Sequence, residues 1–311
     1  MSKKQNYRVR NWRDYNKALL NRGSLTVWFD EKSIKEWHSP EETGKRGRPK
    51  KYTDVAILCS LTLKSVFQLP LRATKGLIAS LIAMLDLPID APDYSTLSRR
   101  QNDLEINIKQ QASKGPIDLV IDSTGIKIYG EGEWKVRQHG YSKRRTWRKL
   151  HLGVNPETHT IEAAVVTTND FKDNEVIEDL LNQAESNIQQ VCADGAYDAE
   201  NCYQAINFFG AKATIPPRKD AKIKQRAHPN RIPHPRDENL RAIRQSTRKQ
   251  WKRYSGYHKR SLAETAMFRF KTIFGGELMS RTFDNQAVEA LIKCRALNIM
   301  TSLGMPITVA A

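Results

Sequence analysis

Apolar residues recur at helical spacing after Thr53 and Asp54, at Val55, Leu58 and Leu61/Leu63, and predict a helix through Phe67 with either polar residue as its N-cap. A second helix fits Thr74 to Leu85, set off from the first by Pro70. A third fits Asp93 to Gln101, after a connector holding Pro88 and Pro92, and it carries the adjacent pair Arg99 and Arg100. Three helices ending in a basic one match two arrangements: a helix-turn-helix whose last helix faces DNA, or a small bundle with a solvated basic face. From Pro116 the pattern becomes extended. Ile117–Asp122 reads as an apolar strand, Gly125–Tyr129 as its continuation after a turn, and Lys149–Val154 pairs with Thr160–Thr167 across Asn155-Pro156. A helix over Asn174–Ser186, a strand over Gln190–Asp194, a helix over Ala199–Phe209 and a strand over Ala211–Ile215 follow. An antiparallel meander succeeded by alternating helices and strands predicts an α/β fold, a mixed sheet with flanking helices. The expected domains are a helical region over 1–110 and a sheet domain over 116–303.

Charge narrows the function. Among 311 residues, 51 Lys and Arg face 34 Asp and Glu, a net charge of +17, and residues 218–253 alone carry an excess of ten. Cations spread over a chain attract phosphate-bearing partners with a salt-dependent affinity, so nucleic acid is the leading partner. A membrane is not supported: the most apolar run, Gly76–Asp86, is far shorter than the about 20 apolar residues a spanning helix needs. The first residues, Met1–Asn6, are polar and lack a signal-peptide core, which predicts a cytoplasmic chain. Cys59, Cys192, Cys202 and Cys294 show no CxxC spacing, arguing against a zinc site or a disulfide framework.

Three carboxylates stand at informative places: Asp122 at the end of the first strand, Asp194 at the end of the strand that leads into Gly195-Ala-Tyr-Asp198, and Glu264 within a helix expected over Tyr257–Phe274. Each alone has a structural explanation as a turn or surface residue. Together they suit a pair of Mg²⁺ ions acting on a phosphodiester, because hard oxygen ligands hold such ions. On a helical wheel Tyr257, Arg260, Ser261, Glu264 and Lys271 fall within about 100° of arc, with Leu262, Ala263, Ala266, Phe270 and Ile273 opposite. A carboxylate flanked by Arg and Lys suits a metal ligand beside phosphate clamps.

The Asp-ended strand Ile121-Asp-Ser-Thr-Gly125, the box Asp194-Gly-Ala-Tyr-Asp198, and the spacing Tyr257, Arg260, Glu264, Lys271 resemble the signature of bacterial DDE transposases of the insertion-sequence type, in the group around insertion sequence five. The resemblance covers 116–303 well and the N-terminal third loosely. It implies an RNase H-like catalytic core and two divalent metals, Mg²⁺ with Mn²⁺ as a substitute, held by Asp122, Asp194 and Glu264. It also implies Tyr257, Arg260 and Lys271 as DNA contacts, and nicking and strand transfer at the terminal inverted repeats of a transposon by a homo-oligomer on DNA. The segment 218–256 then reads as a basic insertion near the metals. Within it Trp251, amid Arg248 and Lys249, either stacks on an unpaired base or packs on the core beneath a solvated basic helix. Arg46-Gly-Arg-Pro-Lys50 is similar to an AT-hook, and is equally well a basic linker. Two other functions fit the same residues: a structure-selective nuclease on this fold, and a non-catalytic DNA-binding regulator derived from a transposase.

Overall fold

The computed structural model describes residues 7–39, 50–109, 115–129, 147–184, 187–224 and 233–310. Most of the proposed AT-hook lies outside the described residues. Two compact units divide the chain, Met1–Ile106 with Arg295–Ala311, and Asn107–Cys294. The expected boundary after residue 110 therefore falls at Ile106, and the sheet unit ends at Cys294 rather than at 303. The last segment of the chain returns to the N-terminal unit.

In that unit β1 (Tyr7–Val9) pairs antiparallel with the last strand, Thr308–Ala310. Helices α1 (Trp12–Asn21), α2 (Leu25–Trp28) and α3 (Glu31–Lys35) follow. Trp37 is fully buried and its indole N–H donates to the Asp90 carbonyl at 2.8 Å. Burial works against charge on the Asp90 carboxyl, yet bonds with Lys51, Tyr52 and His38 hold it down at about 2. The predicted helices are present as α4 (Asp54–Val66), α5 (Leu71–Met84) and α6 (Tyr94–Arg100). Thr53 caps α4 by accepting from the Ala56 N–H at 3.2 Å, and Asp93 caps α6 by accepting from Ser95 at 2.9 Å. Helices α4 and α5 meet at 111°, and no single helix among the described residues is long and apolar enough to cross a membrane.

The second unit is built on β2 (Ile117–Ile128), β3 (Trp147–Val154) and β4 (Ile161–Thr168), then α7 (Ile177–Ala184), β5 (Ile188–Cys192), α8 (Glu200–Phe208) and β6 (Lys212–Thr214). Helices α9 (Pro235–Gln245), α10 (Arg248–Tyr254) and α11 (Ser261–Phe274), strand β7 (Glu277–Leu278) and helix α12 (Phe283–Ser302) complete it, the last turns of α12 belonging to the first unit. The sheet runs β4-β3-β2-β5-β6, with β7 beside the end of β2. Strands β2, β3 and β4 are antiparallel, while β5 and β7 run parallel to β2 and β6 parallel to β5. The mixed α/β sheet is as expected. The two strands expected on either side of a turn at Ser123-Thr124 are one strand of twelve residues: Gly125 continues it, with Trp147 lying on that position, 3.3 Å from where a Cβ would stand.

Alternation along β2 separates two faces. Ile117, Leu119 and Ile121 join Leu180, Leu181, Tyr203 and Ile206 in one core beneath α7 and α8. Asp118, Asp122 and Thr124 point the other way, toward the segment that carries α11. The buried side of α11 is Ala263, Ala266, Met267, Phe270 and Phe274. Leu262 and Ile273, expected in that face, lie at its half-buried edge, because the buried stripe is rotated toward Met267. After β7 a buried carboxylate fixes the chain: Glu289 accepts from the Ser280 N–H at 2.9 Å and from Lys293 at 2.9 Å.

Phe270 is 0% exposed and stacks edge-on against Phe274. Phe270→Ala should lower unfolding free energy by about 3–5 kcal/mol, measured by urea titration. A loss below about 1 kcal/mol would mean the helix faces elsewhere. His151 on β3 is fully buried, with Nε2 2.9 Å from the Thr167 hydroxyl, and burial pushes its pKa from 6.5 down to about 4. Between those values the unfolded chain binds the proton that the folded chain refuses, so stability falls as pH drops through the window. His151→Gln, which cannot titrate, should flatten the fall in Tm between pH 6.5 and 4. An unchanged slope would remove His151 as its source.

Candidate active site

Position on a buried strand sets the first carboxylate. Asp122 lies within β2, opposite Leu152 of β3, with a side chain only 14% exposed. Desolvation raises its pKa; the Ser123 N–H and Arg260 oppose that rise, and the charges of Asp194 and Glu264 add to it. Asp194 stands two residues past the end of β5 rather than within a strand, and caps the short turn Gly195–Tyr197 by accepting from the Ala196 N–H at 2.9 Å. Glu264 lies in the first turn of α11.

Arg260 joins them. Its guanidinium donates to Asp122 Oδ2 at 2.9 Å and also to Glu264 Oε1. Burial opposes the Arg260 charge, but Asp122, Tyr257, Glu264 and Asp194 outweigh it and raise the pKa. Tyr257 is half-buried beside the same charges, and desolvation raises its phenol. Lys271, two turns along α11, donates to the Thr124 hydroxyl at 2.6 Å, two residues beyond Asp122. The site is thus gathered from β2, the turn after β5, and α11 with its entry.

The wheel that placed Tyr257 and Arg260 on one helix needs amending. Tyr257–Arg260 is a 3₁₀ turn entered through Gly256 in the left-handed region at φ 74°, and the α-helix proper begins at Ser261. A 3₁₀ turn advances about 120° per residue, so the continuous arc holds only from Ser261 onward.

Two expected DNA contacts are engaged in the fold. Trp251 is 4% exposed, its ring 5.8 Å from that of Tyr257, so it packs on the core and does not offer a face to a base. Arg100 is 11% exposed and donates to Asp54 and, at 2.9 Å, to the Tyr52 carbonyl, which turns it into the N-terminal unit. Arg99 and Lys249 are exposed, and Arg248 is half-buried with one nitrogen on the Pro217 carbonyl at 2.7 Å.

Residues that sequence reasoning passed over are Asp198, which ends the box after Asp194, and Arg236. The Asp198 side chain is 0% exposed; it accepts from Arg236 Nε at 2.9 Å, from the Arg218 N–H at 3.0 Å and from the Tyr203 hydroxyl at 3.0 Å. It fastens the described parts of the basic insertion to α8. The second Asp of the box was the available signal, since a carboxylate amid Ala, Tyr and a helix start needs partners when buried.

The chain belongs to the family of transposase DDE domains: a family model with that description matches residues 113–299, and another so described matches 20–131. Among solved structures, the Drosophila P element transposase strand transfer complex is similar at 13% identity, over 63% of this chain and 43% of that one, with a TM-score of 0.29. This chain thus spans under half the length of that relative.

Removing a buried carboxylate strands its cation. Asp198→Ala should therefore cost about 3–5 kcal/mol in urea unfolding. Trypsin should also cut the variant within 218–253 well before the rest of the sheet unit, as read by fragment mass. Cleavage at the wild-type rate would show that Asp198 does not fasten the insertion.

Proposed function

We propose that this chain is a transposase of bacterial insertion-sequence type, in the group around insertion sequence five, whose RNase H-like domain nicks transposon ends and transfers the strands to target DNA. The observation that carries the reading is one guanidinium bonded to both Asp122 and Glu264, with Asp194 near enough to act on the Asp122 charge. Carboxylates from three separate elements converge there, an all-oxygen donor set that fits Mg²⁺ or Mn²⁺. As placed, no three acidic, His or Cys groups among the described residues stand at metal-binding distance of one another; the Arg260 guanidinium lies between two of them. The donor set fits, and Arg260 must swing aside for Asp122 and Glu264 to close on a cation. Bound divalent ions would generate the nucleophile and balance charge on the leaving oxygen.

The chain's own residues do the rest. Arg260 and Lys271 flank Asp122 with positive charge, where it would stabilise the reacting phosphate. Exposed cations of the 218–256 segment would hold the DNA backbone, and α4–α6 with Arg99 would read the terminal repeat. A homo-oligomer on DNA, working in the cytoplasm, completes the proposal.

The test is a supercoiled plasmid carrying the coding region with its flanking DNA, in Mg²⁺. Wild type should nick at the flanks, and Asp122→Asn, Asp194→Asn and Glu264→Gln should bind in gel shift but not nick. Nicking regardless of the flanks would favour a structure-selective nuclease; binding without nicking by wild type would favour a regulator. Full activity of any of the three variants would sink the triad.

A further inference from the structure

On β2 and β5, Asp118 and Gln190 are direct neighbours in the parallel register, well away from the carboxylates themselves. Both reach the same short segment. The Gln190 amide donates to the Ser255 carbonyl at 2.7 Å and to the Thr214 hydroxyl at 2.5 Å. Asp118 accepts from Lys259 Nζ at 2.5 Å, with side chains 12% and 41% exposed respectively. Between Ser255 and Lys259 lie Gly256, with its left-handed φ of 74°, Tyr257 and His258; Arg260 follows directly. The two sheet residues therefore grip both ends of the turn that presents Tyr257 and Arg260 to the site. Neither Asp118 nor Gln190 bonds to Asp122, Asp194 or Glu264, so their effect on chemistry runs through the backbone of 255–260.

We propose that Asp118 and Gln190 are positioning residues: they fix the backbone of the Ser255–Lys259 turn, so that the Arg260 side chain, which pairs with Asp122 and Glu264, would turn from a fixed base to the reacting phosphate when the carboxylates take up cations. The proposal rests on the reading of that site as DNA-cleaving. An ion pair to one residue of the turn and a hydrogen bond from the Gln190 amide to its start restrain a left-handed glycine entry, where glycine itself leaves the backbone free to rotate. A misplacement of about 1 Å at a reacting group costs about 100-fold in rate. Lys259 within a basic region also suits a phosphate contact, and the experiment separates these roles.

The full chain is used, with supercoiled plasmid nicking in Mn²⁺, plasmid affinity by gel shift, and hydrogen–deuterium exchange of the peptide 255–261. Lys259→Met, Asp118→Asn and Gln190→Met should each raise exchange in that peptide. Each should also cut the maximal nicking rate by about 10–100-fold without changing plasmid affinity. Lys259→Arg, which keeps the ion pair, should restore both readouts. If Asp118→Asn fails to fold, Lys259→Met, at the exposed partner, still decides. Wild-type exchange with weakened plasmid binding in Lys259→Met would make Lys259 a phosphate contact and overturn the proposal. Wild-type nicking with wild-type exchange would overturn it as well. Glu264→Gln is run alongside: if it nicks like wild type, the functional reading fails, while the exchange measurement still judges the clamp on its own.

Discussion

Like charges brought together at one sheet face repel, and in this protein the Arg260 guanidinium answers that repulsion by bonding to Asp122 and Glu264 at once. Desolvation already works against charge on Asp122, and Asp194 and Glu264 add to the cost. A cation bonded to two of the three offsets both effects, and Coulomb attraction at a partly buried position is stronger than at an open surface. The charge of Arg260 in turn persists despite its own burial because the carboxylates surround it. The arginine reaches that place through a long side chain, while Asp118 and Gln190 hold the turn that carries its backbone.

That arrangement depends on β2 being one continuous strand. Its inner face contributes Leu119 and Ile121 to the core under α7 and α8, while Asp118, Asp122 and Thr124 on the other face meet Lys259, Arg260 and Lys271 in turn. The order of partners along the strand matches their order along the chain, so the turn and α11 lie alongside β2. Continuing the ladder through Gly125, where Trp147 lies against the backbone, carries the strand on to β7.

Much of this was legible. The start of α4 at Thr53 or Asp54, the β3–β4 hairpin and the alternation of helices and strands after it follow from short-range chemistry that acts within a few residues. Family membership was also within reach, because its signature is a set of spacings. What escaped has a long-range cause. Ser123-Thr124 reads locally as a turn and is part of a strand, which Trp147, distant in sequence, covers at Gly125. Arg100 reads as a surface group in a basic run, but the Asp54 carboxylate and the Tyr52 carbonyl, distant in sequence, draw it inward; for Trp251 the sequence left packing and base stacking open, and its burial against Tyr257 decides for packing. The return of 295–311 to the first unit leaves no local trace either, since α12 runs unbroken across the boundary.

The same inward draw changes how the basic charge of the chain should be read. Net charge says nothing of where the charges lie, yet Arg236 is paired with Asp198 and Lys259 with Asp118. A cation held by a buried carboxylate contributes little to an external field, because its partner cancels it at a distance. Exposed residues such as Arg218, Lys219, Lys249 and Arg253 keep theirs. They belong to the segment fastened by Asp198 and leading into α11, so the uncompensated charge is attached to the unit that holds the carboxylates. On the proposed function the carboxylates would meet a phosphate, an anion they repel, and that placement adds to the attraction of Arg260 and Lys271.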